Sequence, residues 1–419
     1  MIQSILLSQT LSFEKSYAHA LKYSPAIQSK LHKMKAEIAK EKQSFASLNP
    51  NVSFSANHNE YFNSKTSLDQ YENNPSSFRS SQATFTIRQV LYNEPITKEY
   101  EKSKIAISIA KLEYDKEKQD LMVDVAQNYY DLLHAKKKHL LYQKKQKTLF
   151  EQKKDIEKRF ELKEATIQDL STIRAEYYVT QSDTIEAFLK IKKLQSTLQS
   201  LTQLPINDNT QLIELDMDII KDIKVDTKLL EKEIIEHNIK YKIKKLKLLL
   251  SQKNIQSSKS DIYPTLDLVI NSTHYDTDKS ISDDKYYSRQ NYVALELKAQ
   301  LYEGGKSHEK VIEAKQTKLQ EKQEIKALEQ ELYNKMINEY LNMKSTYNQI
   351  TTLQFSKQAA QQTLTAIEVG FSMGTKTNLD VLDAIEKLYT IQDNILEIKN
   401  NYIISKLNLQ ILRNNFKGD

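Results

Sequence analysis

Cysteine and tryptophan are both absent from the 419 residues, and glycine and proline are scarce, with five and six occurrences. Without cysteine there are no disulfides, no thiolate metal sites and no lipidated N-terminal cysteine. Glycine usually makes up about 7% of a chain; five in all imply long uninterrupted helices. There is no run of about 20 apolar residues that would span a bilayer as a helix, so any membrane insertion has to use strands. The formal charge of +6 is small for this length, and lysine and glutamate are mixed along the helices as on a solvated face. That balance argues against a nucleic-acid partner. A Gly-rich phosphate loop, a His-Glu-x-x-His helix and a nucleophile elbow are all missing. The eight histidines are scattered, with His58 and His274 at strand ends, where exposed interface histidine is the commoner explanation. No metal, no cofactor and no catalysis are expected.

What is present is a pattern that occurs twice. Pro50 opens Asn51-Val52-Ser53-Phe54, and Pro264 opens Thr265-Leu266-Asp267-Leu268 about 214 positions later. Leu91-Tyr92 returns as Leu301-Tyr302, and Phe160 with Asp169 returns as Phe371 with Asp380, at offsets of about 210 and 211. An internal repeat of half the chain length follows. Residues 1–209 are expected to hold a helix, strands at about 51–62 and 81–92, and long helices at about 95–160 and 165–203. Residues 210–419 repeat this with a linker and helix at about 227–260, strands at about 265–275 and 291–302, and helices at about 306–370 and 376–415. The break falls in Leu204-Pro205-Ile206-Asn207-Asp208-Asn209, where proline and the Asn/Asp pair end the preceding helix.

The four strands alternate. In the last, Val293, Leu295, Leu297, Ala299 and Leu301 point one way, and Tyr292, Ala294, Glu296 and Lys298 the other. Ala83, Phe85 and Ile87 form a similar apolar row. Each strand has about the length that a tilted strand needs to cross hydrocarbon, and the polar loops Asn63 to Ser80 and Asp276 to Ser288 suit exposed turns. Four strands cannot close a membrane barrel, which needs about eight; three copies would supply twelve. Tyr61, Tyr92, Tyr275, Tyr292 and Tyr302 flank the strands as candidates for an aromatic girdle, whereas Tyr129 and Tyr130 read as packing residues.

The helices carry coiled-coil seams, as in Ile325, Leu328, Leu332, Met336, Tyr340, Met343, Tyr347 and Ile350. From Ile96 to about Phe160 a helix would run roughly 100 Å at 1.5 Å per residue. On helices alone the reading is a soluble coiled-coil scaffold; the two-faced strands between the helices argue against it. A Lys-rich nucleic-acid binder is a second rival, opposed by the interspersed glutamates.

Two segments resemble the TolC-type outer-membrane efflux proteins. Ala299-Gln300-Leu301-Tyr302-Glu303-Gly304-Gly305-Lys306 resembles that family's strand exit, where Gly304 and Gly305 permit a sharp turn into a helix. Val369-Gly370-Phe371-Ser372-Met373-Gly374-Thr375-Lys376-Thr377-Asn378-Leu379-Asp380-Val381-Leu382-Asp383 resembles its periplasmic hairpin tip almost residue for residue. The resemblance covers essentially the whole chain. It implies a mainly α fold with membrane β: a trimeric, twelve-stranded outer-membrane barrel, four strands per protomer, continued into a long α-helical coiled-coil barrel. It implies a homotrimer in outer-membrane lipid, partnered by a periplasmic adaptor and an inner-membrane efflux pump or ABC transporter, that conducts exported substrates passively through a gated aperture.

From the residues alone, Asp380 and Asp383 are carboxylates sharing a face near a helix start, favoured there by the macrodipole. The resemblance instead places them in a ring at the aperture, six in a trimer, where they would repel one another and attract cations. It also implies that Phe371 and Lys376 stand where the family ties its closed tip with tyrosine and arginine. Phenylalanine lacks the hydroxyl and lysine the planar fork, so a weaker lock is expected. Its facing element is the first-repeat turn Phe160 to Asp169, with Gln168 and Asp169, where Lys163 replaces an expected glycine. Gly370, Gly374 and Thr375 are the implied adaptor-docking positions. Met1 to Leu7 has no basic stretch and too short an apolar run for a signal peptide, so the leader that such a protein needs is expected upstream of Met1 or already removed.

Overall fold

The computed structural model describes residues 10–62, 77–214, 220, 226–278 and 286–415. Met1 to Leu7 and most of the two polar loops lie outside them. The order of elements shows the duplication. Strand β1 (Thr10–Leu11) leads into α1 (Phe13–Tyr23), α2 (Pro25–Ala46), β2 (Asn51–Tyr61), β3 (Phe78–Tyr92), α3 (Glu94–Glu161) and α4 (Ile167–Thr202). The series then repeats as β4 (Gln211–Leu212), α5 (Thr227–His237), α6 (Ile239–Ser260), β5 (Thr265–Thr277), β6 (Tyr286–Lys298), α7 (Lys306–Ser372) and α8 (Asn378–Leu412). By contacts the chain divides into two units, residues 1–31, 113–242 and 327–419, and residues 32–112 and 243–326, so each unit takes segments from both copies of the series.

Both copies break the helix that precedes the strands. A single helix over 227–260 was expected, but Asn238 is extended (φ −61°, ψ 127°), its N–H closing α5 on Ile234 and its side-chain oxygen accepting from Tyr241 N at 3.2 Å. Ser24 does the same between α1 and α2, its hydroxyl oxygen accepting from Ile27 N at 3.4 Å ahead of Pro25. These two residues satisfy the bare amides of the second helix, which makes the interruption cheap.

In the first unit, a core around Val125, Ala126, Tyr129, Leu132 and Leu198 also takes in Phe13 and Ala20 of α1. Tyr129 and Tyr130 are buried there, as the sequence implied. The Tyr129 hydroxyl shares its one proton between the carbonyls of Leu11 at 2.8 Å and Ile213 at 2.9 Å, at the ends of β1 and β4, which pair in parallel. Burial raises its pKa to about 12. The folded state thus keeps this phenol protonated, and its contribution is intact below the ordinary tyrosine value near pH 10 and lost as pH rises through about 12. Tyr129→Phe is expected to cost about 1 kcal/mol at neutral pH, because the Ile213 carbonyl loses this donor while the Leu11 carbonyl keeps Ile213 N at 3.1 Å, and to shrink the alkaline fall in the unfolding midpoint between pH 10 and 12.

In the second unit a four-stranded antiparallel sheet has the order β2-β3-β5-β6. Its register sorts the side chains by face. Val52, Ile87, Ile270 and Val293 lie in one cross-strand row, and Leu268 with Leu295 and Leu266 with Leu297 continue the apolar face. The opposite face carries Ser53, Thr86, Asn271 and Tyr292 in one row and Ser55, Thr84, Thr273 and Gln290 in the next. The apolar face is open to its surroundings, with Phe54 at 70%, Val293 at 68%, Leu295 at 67% and Leu297 at 70% exposure. Among the described residues no strand pairs with the outer edge of β2 or of β6. No described helix is long and apolar enough to cross a membrane.

Two expectations need correction here. The last strand was read over 291–302, yet β6 spans Tyr286–Lys298. Lys298 pairs with Thr265, the first residue of β5; one step further the partner would be Pro264, which has no N–H to donate. Ala299, Leu301 and Tyr302 therefore leave the sheet. The aromatic girdle also fails for Tyr61, Tyr275 and Tyr292, which share parity with Asn59, Thr273 and Gln290 on the polar face. Only Tyr92, opposite Leu266 after an irregularity at Val90, joins the apolar side.

Candidate functional site

The candidate site is the pair of turns that join α3 to α4 and α7 to α8. Both start from a helix end closed in the left-handed manner. Gly374 has φ 75°, and the Gly370 carbonyl accepts from Thr375 N at 2.8 Å, Lys376 N at 3.2 Å and the Thr375 hydroxyl at 3.0 Å. In the first turn Lys163 takes the same conformation (φ 63°), and the Arg159 carbonyl accepts from Glu164 N at 2.7 Å and Ala165 N at 3.2 Å. These are the capping bonds that satisfy a helix's last carbonyls.

Gly370 departs from the expectation that it belongs to the turn. It sits in the last turn of α7 with ordinary helical geometry, and what it supplies is room. A Cβ there would stand 2.7 Å from Lys376 Cγ and 3.1 Å from Thr375 Oγ1. At the matching positions of the first turn the sizes are exchanged: Arg159 replaces glycine and Ala165 replaces lysine. Gly374 is the position that needs glycine for its backbone. Gly374→Ala is expected to destabilise by about 1 kcal/mol, and Lys163→Gly to stabilise by about 0.5–1 kcal/mol, both read from the unfolding midpoint. Gly304 (φ 62°) and Gly305 (φ 86°) likewise hold left-handed geometry ahead of α7.

Each second helix begins with a reciprocal capping box. The Thr377 hydroxyl accepts from Asp380 N at 3.2 Å, while Asp380 Oδ2 accepts from Thr377 N at 2.8 Å and its hydroxyl at 2.9 Å. Thr166 and Asp169 repeat this at 3.1, 3.0 and 2.6 Å. The Thr377 backbone hydrogen bond, then its hydroxyl, then the charge of Lys376 hold the Asp380 carboxyl below the usual aspartate range. Asp383, one turn on, is exposed and has no hydrogen-bond or ion-pair partner among the described residues. The capping box was legible as a helix-start signal, but not its double hold on Asp380.

The two turns meet over a common core of Leu149, Ile156, Leu170, Ile173, Val381 and Ile385. Phe371 packs against it, and the Arg159 guanidinium lies 4.5 Å from the Phe371 ring centre, within cation–π range. Asn378, buried, donates to the Asp169 carbonyl at 3.3 Å. Among the described residues Lys376 forms no salt bridge, and Gln168 is exposed, its carbonyl accepting from the Thr172 hydroxyl. Arg159 and Asn378 were missed by the sequence reading. An arginine just before Phe160, the repeat counterpart of Phe371, carries no local signal, and a buried asparagine reads as a turn residue.

Further along α3 and α8 the contacts become polar at seven-residue steps. Asp131 meets Asn400 at 2.8 Å, Lys138 meets Asp393 at 2.7 Å, and Lys145 lies between Glu386 and Glu176, the latter at 3.3 Å. Lys145 is only 7% exposed. Burial opposes its charge, but the hydrogen bond and charge of Glu386, followed by those of Glu176, outweigh it and raise the pKa above the ordinary lysine value.

Paired long helices ending in duplicated hairpin turns, joined to an edge-open sheet with one apolar and one polar face, define the fold of outer-membrane channel subunits. The chain belongs to the outer membrane efflux protein family, whose model matches residues 17–203 and 236–415. It is similar to outer membrane protein TolC of Escherichia coli (strain K12), 24% identical over 315 residues that cover 73% of this chain and 63% of TolC. It is also similar to the proteases secretion protein PrtF of Dickeya chrysanthemi, 24% identical over 374 residues, covering 87% of this chain and 80% of PrtF. The fold matches the Campylobacter jejuni CmeC outer membrane channel with a TM-score of 0.81 at 15% identity, over 97% of this chain and 86% of that one. The matched segment thus spans 63% of the length of TolC.

Proposed function

We propose that three copies of this chain form an outer-membrane exit duct that passively conducts exported molecules, each copy built from tandem halves 1–209 and 210–419. The observation that carries the reading is the sheet. It is apolar on one face, polar on the other and open at both edges, so it has to close with copies of itself to shield its unpaired backbone in hydrocarbon. Its apolar belt also slants. On β2 and β3 the belt is Val52, Phe54, Ala56 and Ile87, Phe85, Ala83; on β5 and β6 it is Leu266, Leu268, Ile270 and Leu297, Leu295, Val293. The belt slips by two cross-strand rows over two strand spacings, roughly 13 Å against 10 Å, an angle of roughly 50°. That is close to the tilt of strands in membrane barrels, and a soluble hairpin insertion has no reason for it.

In this reading the hairpin turns form the periplasmic end. Asp380 and Asp383 line the aperture, Phe371, Lys376, Gln168 and Asp169 take part in its closure, and Gly370, Gly374 and Thr375 meet a periplasmic adaptor. Energy comes from an inner-membrane pump or ABC transporter, and no catalysis is required of this chain. The absence of native cysteine makes closure directly testable. With Asn57→Cys on β2 combined in turn with Ser288→Cys, Gln290→Cys or Tyr292→Cys on β6, oxidation in membranes is expected to give covalent trimers for at least one pair. Monomer at every register would overturn the barrel.

A further inference from the structure

We infer that the apolar side of the sheet, just beyond its belt on the loop side, seats the phosphates of anionic lipid headgroups; this rests on the duct reading above. Following β2 past Ala56, the next residue on that face is His58. On β5 and β6, past Ile270 and Val293, come Ser272 and Asn291, then His274 directly opposite Arg289. Counted from the belt, His58 stands one step out and His274 and Arg289 two, a difference of roughly 7 Å along a strand. Their side chains are exposed on the same face as Phe54 and Val293, so they stand where acyl chains give way to headgroups.

Three features favour an anion there. His274 and Arg289 are cross-strand neighbours, an arrangement that disfavours two positive charges unless something negative bridges them. Arg289 has no hydrogen-bond or salt-bridge partner among the described residues, whereas the nearby Arg79 is held by Glu60 at 2.7 Å. The row of His274 and Arg289 continues across Ala83 and Ala56, which leave it open toward β2, and His58 lies one row further out beside Ser81, whose hydroxyl is 2.9 Å from His58 Nδ1. Among the described residues the strand carboxylates on this face are Glu60, already paired with Arg79, and Asp276, which shares the row of His58 and Tyr287 one step beyond His274. Phosphate offers the acceptor oxygens that a guanidinium, imidazoles and hydroxyls can share, and continuity with the belt selects a lipid as its carrier.

The test uses the full-length protein in phosphatidylcholine nanodiscs containing diphosphoryl lipid A, released into detergent and weighed by native mass spectrometry. Wild type is expected to retain lipid A over phosphatidylcholine, and His58→Ser/His274→Ser/Arg289→Ser to retain about tenfold less, in line with the attraction of each basic residue to anionic lipid. A matched change on the polar face, Gln82→Ser/Gln290→Ser, is expected to retain the wild-type amount. Should the triple variant fail to fold, Arg289→Ser alone is expected to lower retention several-fold. Equal retention by wild type and the folded variants would overturn the inference, as would displacement of lipid A by millimolar inorganic phosphate. Wild type that inserts and conducts without headgroup preference would remove this inference and leave the duct standing; wild type that never inserts would remove the duct itself.

Discussion

Replacing both carboxylates around Lys145, as Glu176→Gln/Glu386→Gln, is expected to lower the stability of the helical unit by about 2–4 kcal/mol, read as a fall in the midpoint of urea or heat unfolding at pH 7. Removing the partners of a buried charge strands it, and such losses reach about 3–5 kcal/mol for a fully enclosed pair. The value here is set lower because the carboxylates are partly open to water, Glu386 with 55% and Glu176 with 35% of the side chain exposed. The reverse change should behave differently. Lys145→Met leaves two carboxylates that water can reach and fills the buried stem with apolar atoms, so a loss under about 1 kcal/mol is expected. An equal loss from both variants would show that Lys145 is not held as described.

The second large effect concerns conduction. Asp380→Ala/Asp383→Ala is expected to raise the concentration of multivalent cation that half-blocks the channel from the periplasmic side by about tenfold or more, since a ring of carboxylates concentrates cations at a constriction. The two positions are not equivalent. Asp380 is engaged by Thr377, and Asp383 has no partner among the described residues, so Asp383→Ala should remove block without unsettling the helix, while Asp380→Ala also breaks the capping box. Thr377→Ala separates these roles: it costs about 1 kcal/mol of helix stability and should leave the block in place. Because Asp380 titrates below the ordinary aspartate range, its share of the block should persist through mildly acidic pH and fade only beneath that range. Unchanged block in the double variant would take both residues out of the aperture.

Much of this architecture can be read from residue spacing. Long helices follow from scarce glycine and sustained heptads, and the strands of β2, β3 and β5 fall within three residues of the alternating segments that announced them. What the sequence hid depends on partners distant along the chain. The end of β6 is set by Pro264, some thirty residues earlier, and not by its own pattern, which alternates on to Leu301. Tyrosines near strand ends have the composition of a girdle, and only parity within the paired sheet shows that three of them face the polar side. The breaks at Ser24 and Asn238 depend on one side-chain hydrogen bond each. Gly370 looked like a turn glycine because glycine serves both left-handed backbone and close approach, and only the position of Lys376 distinguishes them. The buried lysine layer was invisible because in one dimension Lys145 is one of many lysines on a charged helix.

Assembly of this chain into a pore is tested by the current through a planar bilayer after purified protein is added. Trimeric protein is expected to give discrete, uniform steps of cation-preferring conductance that disappear in variants whose β2 and β6 edges cannot join. Folded, inserted trimer that gives no current under any gating condition, including the Asp380→Ala/Asp383→Ala variant, would contradict that assembly.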